Sequence, residues 1–174
     1  MAKKVTYVMV DVEADGPAPG LYSMIELGAV IVEPTLNRTF YTNLKPISDE
    51  YVYDALAVTG HSREETMKFK DPCDAMLEFD QWLSEQIPNG KIIFVSDNNG
   101  FDWQFVNYYF HKFLLKNPFG HSSMNLGSLY KGMQKSMFEN FKHLRKTKHT
   151  HNPVDDAKGN AEAMLTILEN FKGQ

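Results

Sequence analysis

The chain has 174 residues, 43% of them hydrophobic and 23% charged, with a net charge of −4 and one cysteine, Cys73. That length suits one domain with a full core, and the acidic balance excludes a generally basic nucleic-acid coat. A lone cysteine excludes an intramolecular disulfide and a thiolate zinc site, and no apolar run is long enough to span a membrane, so a single domain over 1–174 in the cytoplasm is expected.

Residues 5–12 and 25–32 read as strands, joined by the turn-rich stretch Asp15, Gly16, Pro17, Ala18, Pro19 and Gly20. Residues 39–44 alternate and are β-prone, so three successive strands with short links predict an antiparallel meander. Helices follow at 48–58, closed by Gly60, and at 72–87, where Met76, Leu77, Leu83 and Ile87 fall near helical spacing. The apolar run 91–95 suits a strand buried on both faces. After the Asn98-Asn99-Gly100 turn, a helix is predicted with a core stripe of Phe101, Phe105, Tyr108, Tyr109 and Phe113. A weaker helix is predicted at 126–133. The last helix, 153–171, starts with Asn152 as N-cap and Pro153 in its first position. This order describes an α/β domain with a mixed sheet.

Three pieces of the chain could carry chemistry. Asp11 and Glu13 close the first strand two residues apart, so both project from one face, and carboxylates that close call for a hard divalent ion such as Mg²⁺ or Mn²⁺. Asp102 lies in the first turn of a helix that follows an apolar strand, where open α/β sheets place ligands. His151 precedes the last helix, and Asp155 and Asp156 lie one turn inside it, pairing a group that can move a proton with a possible metal ligand. His149 competes with His151, as Asp155 does with Asp156. A zinc hydrolase built on the two histidines lacks a third ligand. Separately, Lys131, Lys135, Lys142, Arg145, Lys146 and Lys148 face only Glu139 in the same stretch, which could steer a polyanion or form a solvated face.

Asp11-x-Glu13, Asn98-x-x-Phe101-Asp102 and His151 followed by Asp156 together resemble the three motifs of the DEDDh 3′–5′ exonucleases, over roughly residues 5–170. Within that group the chain resembles the branch with ribonuclease T, oligoribonuclease and adenylate-preferring exoribonucleases. The resemblance implies a ribonuclease H-like fold, a mixed five-stranded sheet flanked by helices, and catalysis by Asp11, Glu13, Asp102, Asp156 and His151. It implies two divalent metal ions, Mg²⁺ or Mn²⁺, with Asp11 bridging them, Glu13 and Asp156 holding the ion that activates water, and Asp102 acting through ordered water. The same spacing selects His151 as proton acceptor and Asp156 over Asp155.

The implied reaction removes nucleoside 5′-monophosphates from 3′ ends of single-stranded RNA or short oligoribonucleotides. Alternatives are a DNA exonuclease of the same group and a non-catalytic nucleic-acid-binding module, which would predict a broken acidic set. Ala14, Asp15 and Gly16 are expected to line the 3′ nucleotide through backbone groups, with Asn98 beside it, and Tyr22, Met24 and Trp103 to stack on bases. Ala14, Pro17 and Asp97 depart from the residues common in relatives, which blurs specificity. A homodimer is expected, with residues 135–148 of one copy feeding substrate to the other.

Overall fold

The computed structural model describes residues 5–172. The ends of the expected 1–174 domain, residues 1–4 and 173–174, lie outside the described residues. Strands β1 (Val5–Ala14), β2 (Met24–Ile31) and β3 (Thr39–Asn43) form the antiparallel meander. Helices α1 (Tyr53–Val58), α2 (Arg63–Thr66) and α3 (Pro72–Gln86) lead to β4 (Lys91–Ser96), which runs parallel to β1. Next come α4 (Asn99–Leu114), the short edge strand β5 (Ser123–Asn125) parallel to β4, α5 (Leu126–Gln134) and the long α6 (Pro153–Lys172). The mixed five-stranded sheet has the order β3-β2-β1-β4-β5.

Strand alternation divides the core into two layers. Val8, Val10 and Val12 of β1 pack with Phe79, Phe105, Val106 and Phe110 of α3 and α4, whereas Met9 packs with Ala157, Ala161 and Met164 of α6. Asp11 and Glu13 share the parity of Met9, so they emerge on the α6 face. Pairing of β1 with β4 ends at Met9 and Val95, so the carboxyl end of β1 continues past its parallel neighbour. The buried stripe of α4 is Asp102, Phe105, Val106, Tyr109 and Phe110, which puts a carboxylate in line with the core aromatics.

Several boundaries differ from the pattern-based expectation. Residues 48–52 are not helical: Val52 N–H donates to the Asp15 carbonyl at 2.7 Å and is held extended, so α1 starts only at Tyr53. The Ser62–Glu65 capping box nucleates α2, which the periodicity did not reveal. β5 has three residues, too few to show alternation, and exists through its pairing with β4.

One close approach seats α6. Gly28 lies opposite Asp11 in the β1–β2 register, and a Cβ at position 28 would come within 2.3 Å of the Pro153 carbonyl carbon and 2.5 Å of Val154 N. The helix start therefore rests on bare backbone beside Asp11. Asn152 caps it, accepting from Val154 N–H at 3.0 Å. Gly28→Ala should destabilise the fold by about 1–3 kcal/mol. Because the displaced helix carries Asp156, activity should fall further than stability. Urea denaturation and cleavage assays well below the transition would show both, and a stable, fully active variant would contradict the seating role.

Candidate active site

Asp11, Glu13 and Asp156 each present a carboxylate oxygen, and these three atoms lie within 4.8 Å of one another. Asp102 comes from the other side. Its Oδ1 accepts the Val12 N–H at 3.2 Å, a donor that β4 leaves free by ending early; Ser96 lies beside the carboxyl, and Oδ2 is buried without a hydrogen bond of ordinary geometry among the described residues. Crowded oxygens plus an orphaned buried carboxylate oxygen fit a hard cation that takes oxygen ligands. Asp155 stands apart, accepting from Thr150 Oγ1 at 3.2 Å.

The electrostatics match this crowding. Burial, then the charges of Asp102, Glu13 and Asp156, push the Asp11 carboxyl well above the usual carboxylate range, and Arg145 acts against them. Glu13 is pushed up to about 8 by burial, then by Glu26, Asp156 and Asp102. Burial raises Asp102 to about 7. Like charges held in a poorly solvated site must take up protons or bind a cation.

Both histidines reach the site. His149 Nδ1 is 2.7 Å from Asp156 Oδ2, His151 Nδ1 is 3.9 Å from Glu13 Oε1, and their rings are 4.2 Å apart. His151 has a positive φ of 59°, a rare conformation supported here by its N–H donating to Asp156 Oδ2 at 3.1 Å. Both side chains are about half exposed and can meet a substrate from solvent.

The expected substrate contacts fare unevenly. Asp15 must be corrected: its N–H donates to Ser23 O and its carbonyl accepts from Val52, while its fully buried carboxylate holds Ser23 N–H and Arg63 Nη1. None of these groups is left for a nucleotide. Met24 is fully buried and cannot stack, because the register shift after Glu13 pairs it with Ala14 inside the core. Trp103 is half-buried and packs edge-on against Phe94, at 5.1 Å between centroids, which leaves only part of its ring open. Ala14 and Gly16 are buried, the latter under the Tyr22 ring, so Tyr22 keeps only a partly open face. Asn98 is exposed beside the start of α4 and makes no side-chain cap.

Two residues next to the acids escaped the pattern. Glu26 lies directly across from Glu13, buried, with the Tyr41 hydroxyl donating to it and His61 Nε2 at 3.5 Å. Only the strand register reveals it. Arg145, grouped with the solvated basic stretch, is instead largely covered and donates from Nη2 to Asp156 Oδ1 at 2.8 Å.

With this geometry in place, the chain can be set beside known proteins. An exonuclease family model, RNase_T, matches residues 8–164. The chain is 42% identical over 133 residues to the 3′–5′ DNA exonuclease Cap18 of Escherichia coli, covering 75% of this chain and 70% of that one. Its fold is similar to the nuclease domain of 3′hExo, a DEDDh family member bound to rAMP, with a TM-score of 0.74, 15% identity and coverage of 95% and 92%. It is also similar to E. coli Exonuclease I in complex with a dT13 oligonucleotide, with a TM-score of 0.73 and 16% identity, covering 95% of this chain but 41% of that one.

The raised carboxyls carry a pH consequence. Between the ordinary Glu value of 4.5 and about 8, folded Glu13 keeps a proton that the unfolded chain has released. Stability without metal should therefore fall as pH rises through that window and level off above it. Thermal melts in chelator from pH 5 to 9 should show the decline. Glu13→Gln should flatten it, and an unchanged slope in that variant would contradict the assignment.

Proposed function

The chain belongs to the RNase_T exonuclease family and is a 3′–5′ exonuclease of the DEDDh group, and from that premise we propose that it hydrolyses single-stranded DNA from the 3′ end with two divalent ions. The observation that carries the catalytic reading is the meeting of Asp11, Glu13 and Asp156 oxygens within 4.8 Å beside His151. DNA takes precedence over the RNA expected from motif resemblance because the relative at 42% identity is a DNA exonuclease.

Asp11, Glu13 and Asp156, with Asp102 behind them, would hold Mg²⁺ or Mn²⁺, which when bound supplies charge stabilisation for the attacking and leaving oxygens of a phosphodiester displacement. His151 takes the proton from the attacking water at an imidazole nitrogen. The new P–O bond forms as the bond to the 3′ oxygen of the preceding nucleotide breaks, releasing a nucleoside 5′-monophosphate. His149 pairs with Asp156 and adjusts that carboxylate rather than carrying the proton. Lys135, Lys142, Lys146 and Lys148 are exposed and draw in the strand, within one subunit or across a homodimer. No helix among the described residues is long and apolar enough to cross a membrane.

Matched 5′-labelled DNA and RNA oligonucleotides, incubated with Mg²⁺, Mn²⁺ or chelator, test the reaction. Stepwise shortening of DNA, slower shortening of RNA and no cleavage in chelator are expected. Faster RNA cleavage would overturn the substrate assignment, and internal fragments or chelator-resistant cleavage would overturn the mechanism. Among variants, Asp156→Asn should abolish cleavage while Asp155→Asn keeps most of it. His151→Ala should lower kcat by about 10²–10⁴-fold, with His149→Ala nearer wild type. The reverse order of the histidines would exchange their roles.

A further inference from the structure

Asp156 is enclosed by the segment that precedes it. Its Oδ1 accepts Arg145 Nη2 at 2.8 Å and Thr150 N–H at 3.3 Å, and its Oδ2 accepts His151 N–H at 3.1 Å and meets His149 Nδ1 at 2.7 Å. The two side-chain partners differ in how readily they can leave. The His149 side chain is 56% exposed and can swing into water, whereas that of Arg145 is 10% exposed. Arg145 Nε is already buried without a partner among the described residues, so pulling the guanidinium from Asp156 would strand a second donor.

The seat of Arg145 is built into α6. A Cβ at Gly159 would stand 2.6 Å from Arg145 Nε, 2.8 Å from the Thr147 carbonyl oxygen and 2.9 Å from Arg145 Nη2. On the next turn, Glu162 accepts the N–H groups of Lys146 and Thr147 at 2.7 Å and the Thr147 hydroxyl at 2.9 Å. Asp156, Gly159 and Glu162 recur every three residues, so one strip of helix fixes the segment at three points.

We propose that Arg145 is a positioning residue and a resident counter-cation: it holds Oδ1 of Asp156, leaves Oδ2, which the exposed His149 can vacate, as the oxygen of that carboxylate able to turn to a metal, and offsets one charge of the acid cluster. This rests on the reading of the cluster as a metal site. Two effects follow with opposite signs. Without metal, Arg145 stabilises the fold, because it neutralises a buried carboxylate among like charges. Toward metal, it lowers affinity, because a fixed positive charge repels an incoming cation. The site thus keeps its ions exchangeable.

Isothermal titration with Mn²⁺ in the absence of nucleic acid, together with thermal melts in chelator, tests this on the full chain. Arg145→Met should bind Mn²⁺ at least about tenfold more tightly than wild type. Its metal-free midpoint should fall by about 6 °C or more, and saturating Mn²⁺ should recover most of the loss. Arg145→Lys, which keeps the charge, should lie nearer wild type on both counts. Gly159→Ala, which leaves Arg145 in the sequence but crowds its seat, should move both quantities in the direction of Arg145→Met. If Arg145→Met is unfolded without metal, folding on addition of Mn²⁺ supports the proposal and failure to fold with saturating Mn²⁺ contradicts it. Unchanged or weaker Mn²⁺ affinity in Arg145→Met and Gly159→Ala overturns it. A wild type that binds no Mn²⁺ would instead defeat the metal-site reading, and the metal-free melts would still decide whether Arg145 offsets the acids.

Discussion

Everything at this site depends on bringing the start of α6 against the middle of β2, where Gly28 offers no side chain to hold it off. The first strand supplies Asp11 and Glu13 on one face by simple alternation, but alternation cannot supply a third carboxylate from 145 residues further along the chain. The backbone contact between Gly28 and Pro153 does so. It fixes the helix against the strand that neighbours Asp11, and the first turn of that helix then aims Asp156 at the acids. Packing of Met9 and Val30 on Ala157, Ala161 and Met164 extends the same contact into one of the two core layers. Fold stability and site geometry are therefore the same interaction seen at two distances.

A cluster of acids assembled this way works against the fold that builds it. Asp11, Glu13 and Asp102 all lie above their ordinary pKa range, with burial the first cause in each. Buried like charges are tolerated where something nearby offsets them. Asp102 takes a backbone N–H, Glu26 takes a tyrosine hydroxyl, and Asp156 takes a guanidinium, two N–H groups and an imidazole. The residual imbalance favours a cation at the cluster, which would let it meet a phosphate despite the chain's net negative charge.

Much of this was legible in the sequence, for identifiable reasons. Asp11 and Glu13 could be read because a strand has a period of two, and Asp102 because a strand, a turn and a helix start put its carboxylate in the first turn of the helix. What could not be read depends on register or on distant backbone. Glu26 faces Glu13 only because of the β1–β2 pairing, and Met24 turns inward only because that pairing shifts after Glu13. Arg145 sits in a run of lysines and looks solvated, yet Gly159 makes room to bury it. The stretch before α1 has a helical sequence pattern, yet the Asp15 carbonyl holds Val52 extended. Local pattern reveals which residues share a face, while tertiary contact decides what that face meets.

The order of the parts along the chain has a consequence for biosynthesis. Asp11 and Glu13 are translated first, and Asp156 and the histidines late, on and just before the helix that also covers Met9 and Val30. A domain folds as a unit, and synthesis delivers its amino end first. Until α6 has emerged, the early acids have no third carboxylate and one face of the central strands has no cover. A nuclease whose cleavage needs all three carboxylates would stay inert as a nascent chain, close to the polynucleotides of the ribosome.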